Sequence, residues 1–412
     1  MRIVGDFHLH GKYSRATSKN LTIPNLEKYA IMKGINILGT GDFQHPEWIK
    51  HLKEHLVKEE DGIHYTSTGF PFLLQTEISF IYTQDGRGRR VHNVVLAPSF
   101  EVAAQIAEAL GKKGRLDYDG RPIFNLSCID FTEMMMQISR DIEVIPAHAW
   151  TPWFSVFGSM GGFDSLKQAF DDQVNHIHAI ETGLSSDPAM NWRVSELDNI
   201  TLISNSDSHS FWPWRMGREA NVFDIKKLSY KNILHAIQTR EGLAETLEMD
   251  PNEGKYHYDG HRACGIVMDP VSANNVKHIC PKCNKKLTIG VAHRVEELAD
   301  RPEGYVPKTF VPFRKLIPLS ELIAGVYGTT VATKKVWEQY HPLIKAFGSE
   351  LNIMLDASEE KLSAVVHPKL ARVIIKNRNQ ELKVSPGYDG EYGKPIFNNE
   401  DVISKQKGLG EF

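Results

Sequence analysis

His8, His10, Asp42, Glu77, His148, Asp207 and His209 are all residue types that ligate divalent cations, and each falls at or just past the end of a short apolar run. The first run is Met1 to Gly5, which leads into Asp6-Phe7-His8-Leu9-His10. Two histidines two residues apart on a strand point to the same side, so both imidazoles can reach one ion. A close pair alone carries little in a chain with 18 histidines. The repetition carries more, because side chains this far apart in sequence converge only if their strand ends share one rim. Such a convergence of imidazoles and carboxylates is the composition of a metal cluster.

The elements that would position these residues read as repeated strand–helix units. After His10 a polar loop leads to Thr22 and Pro24, which open a helix ending near Gly34. Ile35 to Thr40 is a second buried strand. Further strand-like runs are Phe72–Phe80, Val91–Leu96, Ile142–His148, Ile177–Glu181 and Thr201–His209, with helical segments such as Glu101–Leu110 and Tyr230–Arg240 between them. This alternation predicts an α/β fold with a parallel sheet or barrel, whose chemistry sits at the carboxyl ends of the strands.

The 412 residues suggest two or three domains at ~150 residues each. Hydrophobic content of 41% and charged content of 24% are those of a soluble protein, with no apolar run of the ~18 residues needed to span a bilayer. Asp6 and two histidines stand where a signal peptide needs an apolar core, so a cytoplasmic protein without membrane association is expected. At a net charge of −3, any basic surface must be local.

Near Met249 the chain turns to Asp-Pro-Asn-Glu-Gly, which places a first boundary at 248/249. His261 and Cys264, then Cys280 and Cys283 after a spacer of fifteen residues, fit one tetrahedral structural zinc, with His257 and His278 as alternative fourth ligands. Cys128 stands apart. Between Lys255 and Arg294 seven Lys or Arg face two acids, a composition suited to phosphate contacts. The expected organisation is 1–248, a zinc module 249–300, and a mixed, mainly helical, DNA-contacting 301–412. The stretch Leu370–Asn379 fits helix or strand equally.

The motifs Asp6-Phe-His8-Leu-His10, Glu77, His92, Pro-Ala-His148 and Asp207-Ser-His209 resemble the polymerase-and-histidinol-phosphatase (PHP) family of metal-dependent phosphoesterases. That resemblance implies a distorted (β/α)7 barrel. It also implies one metal on His8, His10, Glu77 and Asp207 and a second on Glu77, His92 and His148, as Zn, Mg or Mn. Positions that hold a third metal in many members are here Arg15 and Phe43, leaving His209, with Asp42 or a water to compensate.

The whole chain, including the zinc module, resembles the endonuclease Q family. This implies a metal-dependent DNA repair endonuclease that cuts 5′ to deaminated bases or abasic sites, with Asp207, His209 and Glu77 in catalysis. The rival readings are a small-molecule phosphatase and a non-catalytic DNA-binding protein. Lesion reading needs aromatic walls for a flipped base; Trp150, Trp153 and Phe154 after His148, and Phe211, Trp212 and Trp214 after His209, are the candidates. Arg87, Arg89 and Arg90 are candidate phosphate contacts. Gln406, Leu409 and Phe412 have the spacing of a sliding-clamp binding peptide.

Overall fold

The strand Arg2–Asp6 lies inside a mixed sheet, parallel to Ile37–Gly39 on one side and antiparallel to Ala220–Asp224 on the other, in a computed structural model that describes residues 1–403. Ile37–Gly39 continues the parallel run into Pro71–Gln84. Because successive strand residues face opposite sides, the sheet separates two apolar cores. Ile3, Ile37 and Leu73 enter one, and Val4, Leu38, Phe72 and Leu74 the other. The helix Ile23–Lys33 has Pro24 in its first turn and Gly34, at φ +99°, as its C-cap, as its sequence predicts.

The expectation of a parallel sheet holds for only part of the molecule. Pro71–Gln84 and Arg87–Ala97 form a long antiparallel hairpin whose two connecting residues, Asp85 and Gly86, both have positive φ (+53° and +70°). A two-residue turn of that kind can join only antiparallel strands. Glu143–Pro146 is antiparallel to the hairpin, whereas Ala179–Glu181 and Thr201–Ile203 form a separate parallel pair. Among the described residues no ladder joins Glu143–Pro146 to Ala179–Glu181; the parallel pair is tied to its neighbours by the bond from Ala149 N–H to the Glu181 carbonyl at 3.0 Å and by the bridge between Leu9 and Ser208. The coarse class is mixed α/β.

The strand ends also need a correction. Glu77 does not lie at one but in the middle of the hairpin, where it opposes Val94, and His92, inside the facing strand, opposes Ser79. Residues directly opposite share a face, so this diagonal pair projects to one side.

Beyond Glu248 the hairpin Asp259–His261/Ile266–Met268 carries part of the small cysteine-rich cluster. The chain then returns to the first sheet, where Phe313–Lys315 pairs in parallel with Leu243–Glu248. Helices Leu319–Val326, Lys334–Phe347, Glu350–Leu355, Glu359–Ser363 and Pro368–Arg378 build a further core. The ambiguous stretch is thus helical, with Pro368 in its first turn and His367 as its N-cap. Among the described residues no helix is long and apolar enough to cross a membrane. Gln406, Leu409 and Phe412 lie outside the described residues.

Candidate active site

Glu77, fully buried, uses its two oxygens on different partners. Oε2 lies 3.5 Å from His8 Nε2 and 3.3 Å from His10 Nε2, while Oε1 lies 2.8 Å from His92 Nδ1 and 3.2 Å from His148 Nε2. Asp207 Oδ1 closes the first group at 3.5 Å from His8 Nε2 and 3.2 Å from His10 Nε2. Two ligands ~2.1 Å from a common cation sit roughly 3–3.4 Å apart. Both groups have the donor spacing of cation sites, and Glu77 belongs to both.

Further observations test whether cations fit. His8 Nε2 is buried with no hydrogen-bond partner, a cost of ~1–3 kcal/mol unless a ligand takes up its lone pair. Burial disfavours charge on His8 and His10, yet Glu181, Glu77 and Asp207 around His8, and Asp42 and Asp207 around His10, hold both imidazoles well above their usual range. The pocket therefore demands positive charge, which divalent cations would meet. Burial drives His92 the other way, down to about 3, so its ring is neutral and able to ligate. The residues present fit two cations.

The imidazoles are aimed by groups behind them. His8 Nδ1–H donates to Glu181 at 2.9 Å, His10 Nδ1–H donates to Asp42 at 3.1 Å, and His148 Nδ1 is 3.2 Å from Ser155 Oγ. This is the carboxylate–histidine arrangement that fixes ring orientation at metal centres. Asp42, expected among the ligands, is corrected by this geometry. It sits behind His10, and its Oδ2 accepts from Gly11 N–H at 2.6 Å and from Ser14 Oγ–H at 2.7 Å. Those bonds hold it on the opposite side of the His10 ring from Glu77 and Asp207. Asp42, His148 and Asp207 all have positive φ (+42°, +30° and +46°), and non-glycine residues held so commonly mark functional sites.

Sequence reasoning missed Glu181, although it ends a strand as His148 and Asp207 follow theirs. It also missed Arg121, whose Nη1–H donates to Glu77 Oε2 at 2.9 Å; its loop carries no periodic pattern.

The cluster opens into a cleft of about 620 Å³ that is also lined by Trp153, Phe154, Arg215, Lys255 and Tyr392. Phe154 packs on His92 with ring centroids 4.6 Å apart. The other aromatic candidates are elsewhere. Trp150 is buried with its indole N–H on Asn191, and Phe211, Trp212 and Trp214 stack among Tyr29 and Trp337. Trp150, Phe211 and Trp214 are buried packing residues, Trp212 is half-buried against them, and none of the four lines the cleft. Arg89 is likewise buried, its guanidinium over Phe163 and on the Gly162 carbonyl. Arg87 and Arg90 are exposed on the hairpin and do not line the cleft.

His261, Cys264, Cys280 and Cys283 bring their ligand atoms together, with Cys283 Sγ 3.5 Å from His261 Nδ1, and all four cysteines are free. His257 instead bonds the Ser185 carbonyl, and His278 lies by His293. Asp259 and His293, also close to His278, are 2.5 Å apart. That is a hydrogen bond and too short for co-ligands of one ion.

The MJ0043 C-terminal domain family matches residues 318–381. An uncharacterised protein of Methanocaldococcus jannaschii, MJ0043, is 33% identical over 294 residues, 70% of this chain but 36% of that protein. The chain thus spans about a third of that relative. The crystal structure of the lesion-specific endonuclease PfuEndoQ from Pyrococcus furiosus superposes with a TM-score of 0.87 at 33% identity, over 100% of this chain and 99% of that one. The chain belongs to the endonuclease Q family. A second crystal structure, of endonuclease Q in complex with a 27-mer duplex substrate carrying an abasic lesion at the active site, gives 0.88 at 33% identity over 99% and 100%. The endonuclease Q likeness therefore spans both donor clusters, the cleft and the cysteine-rich module.

Proposed function

We propose that this chain is a DNA repair endonuclease that hydrolyses the phosphodiester 5′ to a deaminated base (uracil, hypoxanthine or xanthine) or an abasic site, leaving a 3′-hydroxyl and a 5′-phosphate. The observation that carries this reading is Glu77, shared by two donor groups whose His92, His148 and Asp207 line a cleft with aromatic and cationic walls. The same reading takes 1–248 as a distorted PHP-type barrel, 249–300 as a zinc module and 301–412 as a DNA-contacting part, acting at the nucleoid.

His8, His10, Glu77 and Asp207 would hold one divalent cation, and Glu77, His92 and His148 a second. Such ions, when bound, supply charge neutralisation for a phosphodiester and a nucleophilic water near neutral pH. His209 Nδ1 lies 3.1 Å from the Arg15 carbonyl, which can only accept, so Nδ1 carries the proton. Nε2 then faces Asp207 at 3.6 Å and is free to hold or pass a proton at the rim. Trp153 and Phe154 offer stacking faces for an extruded nucleotide, and Arg215 and Lys255 neutralise its backbone.

Incubating the protein and Mn, Mg or Zn with undamaged, uracil-containing and abasic duplexes, beside a phosphomonoester, tests the reading. A nick confined to the lesion strand supports it. Phosphate release alone would make the chain a phosphatase, and binding without turnover a DNA-binding protein.

A further inference from the structure

Arg121 occupies a position that the chemistry above leaves unused. Its guanidinium presents five N–H donors in a rigid fork, and among the described residues the side chain makes one hydrogen bond, to Glu77 Oε2. The remaining donors are uncommitted. The side chain is 29% exposed and lines the cleft beside Asp207 and His209, so those donors face the space a substrate would enter.

The loop that carries it is fixed at every residue. Asp119 Oδ1 accepts from the backbone N–H of Arg15 at 3.4 Å and of Arg121 at 3.1 Å, and Asp119 pairs with the Arg15 guanidinium at 3.1 Å. Gly120 N–H donates to the Tyr13 carbonyl at 3.2 Å, and the Gly120 carbonyl accepts from Gln44 Nε2 at 2.5 Å. A Cβ at Gly120 would overlap Asp42 Oδ2 and Ser14 Oγ, so only glycine allows the loop this close to the group behind His10. Pro122 follows, and its carbonyl accepts from Ser79 N–H at 3.1 Å. The loop is thus anchored to the groups that aim His10 and to the strand that carries Glu77. Such anchoring places a functional group within the tolerance catalysis requires.

Resting on the endonuclease reading, we propose that Arg121 is a catalytic residue. Its guanidinium bridges Glu77 and a non-bridging oxygen of the scissile phosphate, stabilising negative charge as the oxygen of a water bonds to phosphorus and the P–O bond to the 3′ oxygen breaks, the water losing a proton and the departing 3′ oxygen taking one up to become the 3′-hydroxyl. An arginine fork can hold a carboxylate and a phosphate oxygen at once, where the single ammonium of lysine serves as a point charge. The contact strengthens as charge builds on the phosphoryl oxygens, so it lowers the barrier more than it tightens the ground state.

The test compares wild type with Arg121→Gln and Arg121→Lys on an abasic duplex, with metal affinity of the same proteins measured by calorimetry. The expected result is a kcat lower by ~10²–10³-fold in Arg121→Gln with KM within about threefold. Arg121→Lys should recover part of the rate, and added guanidinium ion part of the rate of Arg121→Gln. Metal affinity should be unchanged or higher, since a cation beside the site has been removed. Wild-type kcat in Arg121→Gln would overturn the proposal. So would a loss of metal affinity whose kinetic defect vanishes at saturating metal, which would make Arg121 only a support for Glu77. Should wild type fail to cut any lesion duplex, it is the endonuclease reading that falls.

Discussion

At His8 the deciding partner is a carboxylate that sequence reading passed over. Glu181 accepts from His8 Nδ1–H at 2.9 Å and from Asn205 Nδ2–H at 2.9 Å, leaving Nε2 aimed at Glu77 and Asp207. Removing one oxygen's charge while keeping the shape should loosen that aim. Glu181→Gln is expected to weaken metal binding ~10–100-fold with the fold intact, measured by metal titration beside circular dichroism. The types and approximate places of the cluster were legible in sequence, because histidines and acids recur within or just past apolar runs. Which side of an imidazole an acid takes was not legible. Asp42 and Asp207 look alike in sequence, yet one stands behind His10 and the other in front of it.

A second residue-scale prediction concerns pH. Burial first, and then the charge of Glu248, hold the Glu219 carboxyl well above its usual range. The folded protein keeps a proton there that the unfolded chain releases near 4.5, so stability is lost as pH rises above that value. Glu219→Gln removes the penalty. Its gain in Tm over wild type should be larger at pH 8 than at pH 5; an equal difference at both would contradict the assignment.

The two aromatic loops show where element-scale reading stops. Both follow a metal-ligand motif and both read Trp-Pro-Trp or its near equivalent, so spacing could not separate them. Their partners did. Trp153 meets Tyr256 across the cleft at 5.4 Å, whereas Trp214 stacks on Trp212 at 5.1 Å and abuts Trp337 from a helix over a hundred residues later. Trp214→Ala should therefore cost ~3–5 kcal/mol of stability. Trp153→Ala should leave the melting temperature nearly unchanged and weaken binding of lesion duplex, as denaturant titration and fluorescence anisotropy would register. Pro368–Arg378 was ambiguous for a related reason. Val373, Ile374 and Ile375 satisfy either periodicity, and the choice falls to the neighbouring helices that bury Val373 and Ile374. The long hairpin was read as two strands but not as antiparallel, because its Asp85–Gly86 turn signal was not weighed.

Over the whole molecule the parts are joined by buried charge. Lys33, 3% exposed, contacts Glu350, 1% exposed, at 2.6 Å, and also donates to the Pro213 carbonyl at 2.8 Å. Arg294, counted in sequence among the basic surface of the zinc module, instead donates to the carbonyls of Phe157 and Phe163 at 2.9 and 3.1 Å and to Asp164 at 2.5 Å. Tyr392, from the hairpin Lys383–Ser385/Lys394–Ile396, reaches the cleft between Arg215 and Lys255. Such long-range joins leave no pattern in a sequence read segment by segment, although the motifs they bring together do. The measurement that tests the central claim most directly is to map the cut on an end-labelled duplex with one deoxyuridine or abasic site, using wild type and Asp207→Asn with added divalent metal. The account predicts a single wild-type nick 5′ to the lesion with a 3′-hydroxyl and a 5′-phosphate, and no nick by Asp207→Asn despite retained DNA binding. Equal cutting of undamaged duplex, or an Asp207→Asn variant as active as wild type, would contradict it.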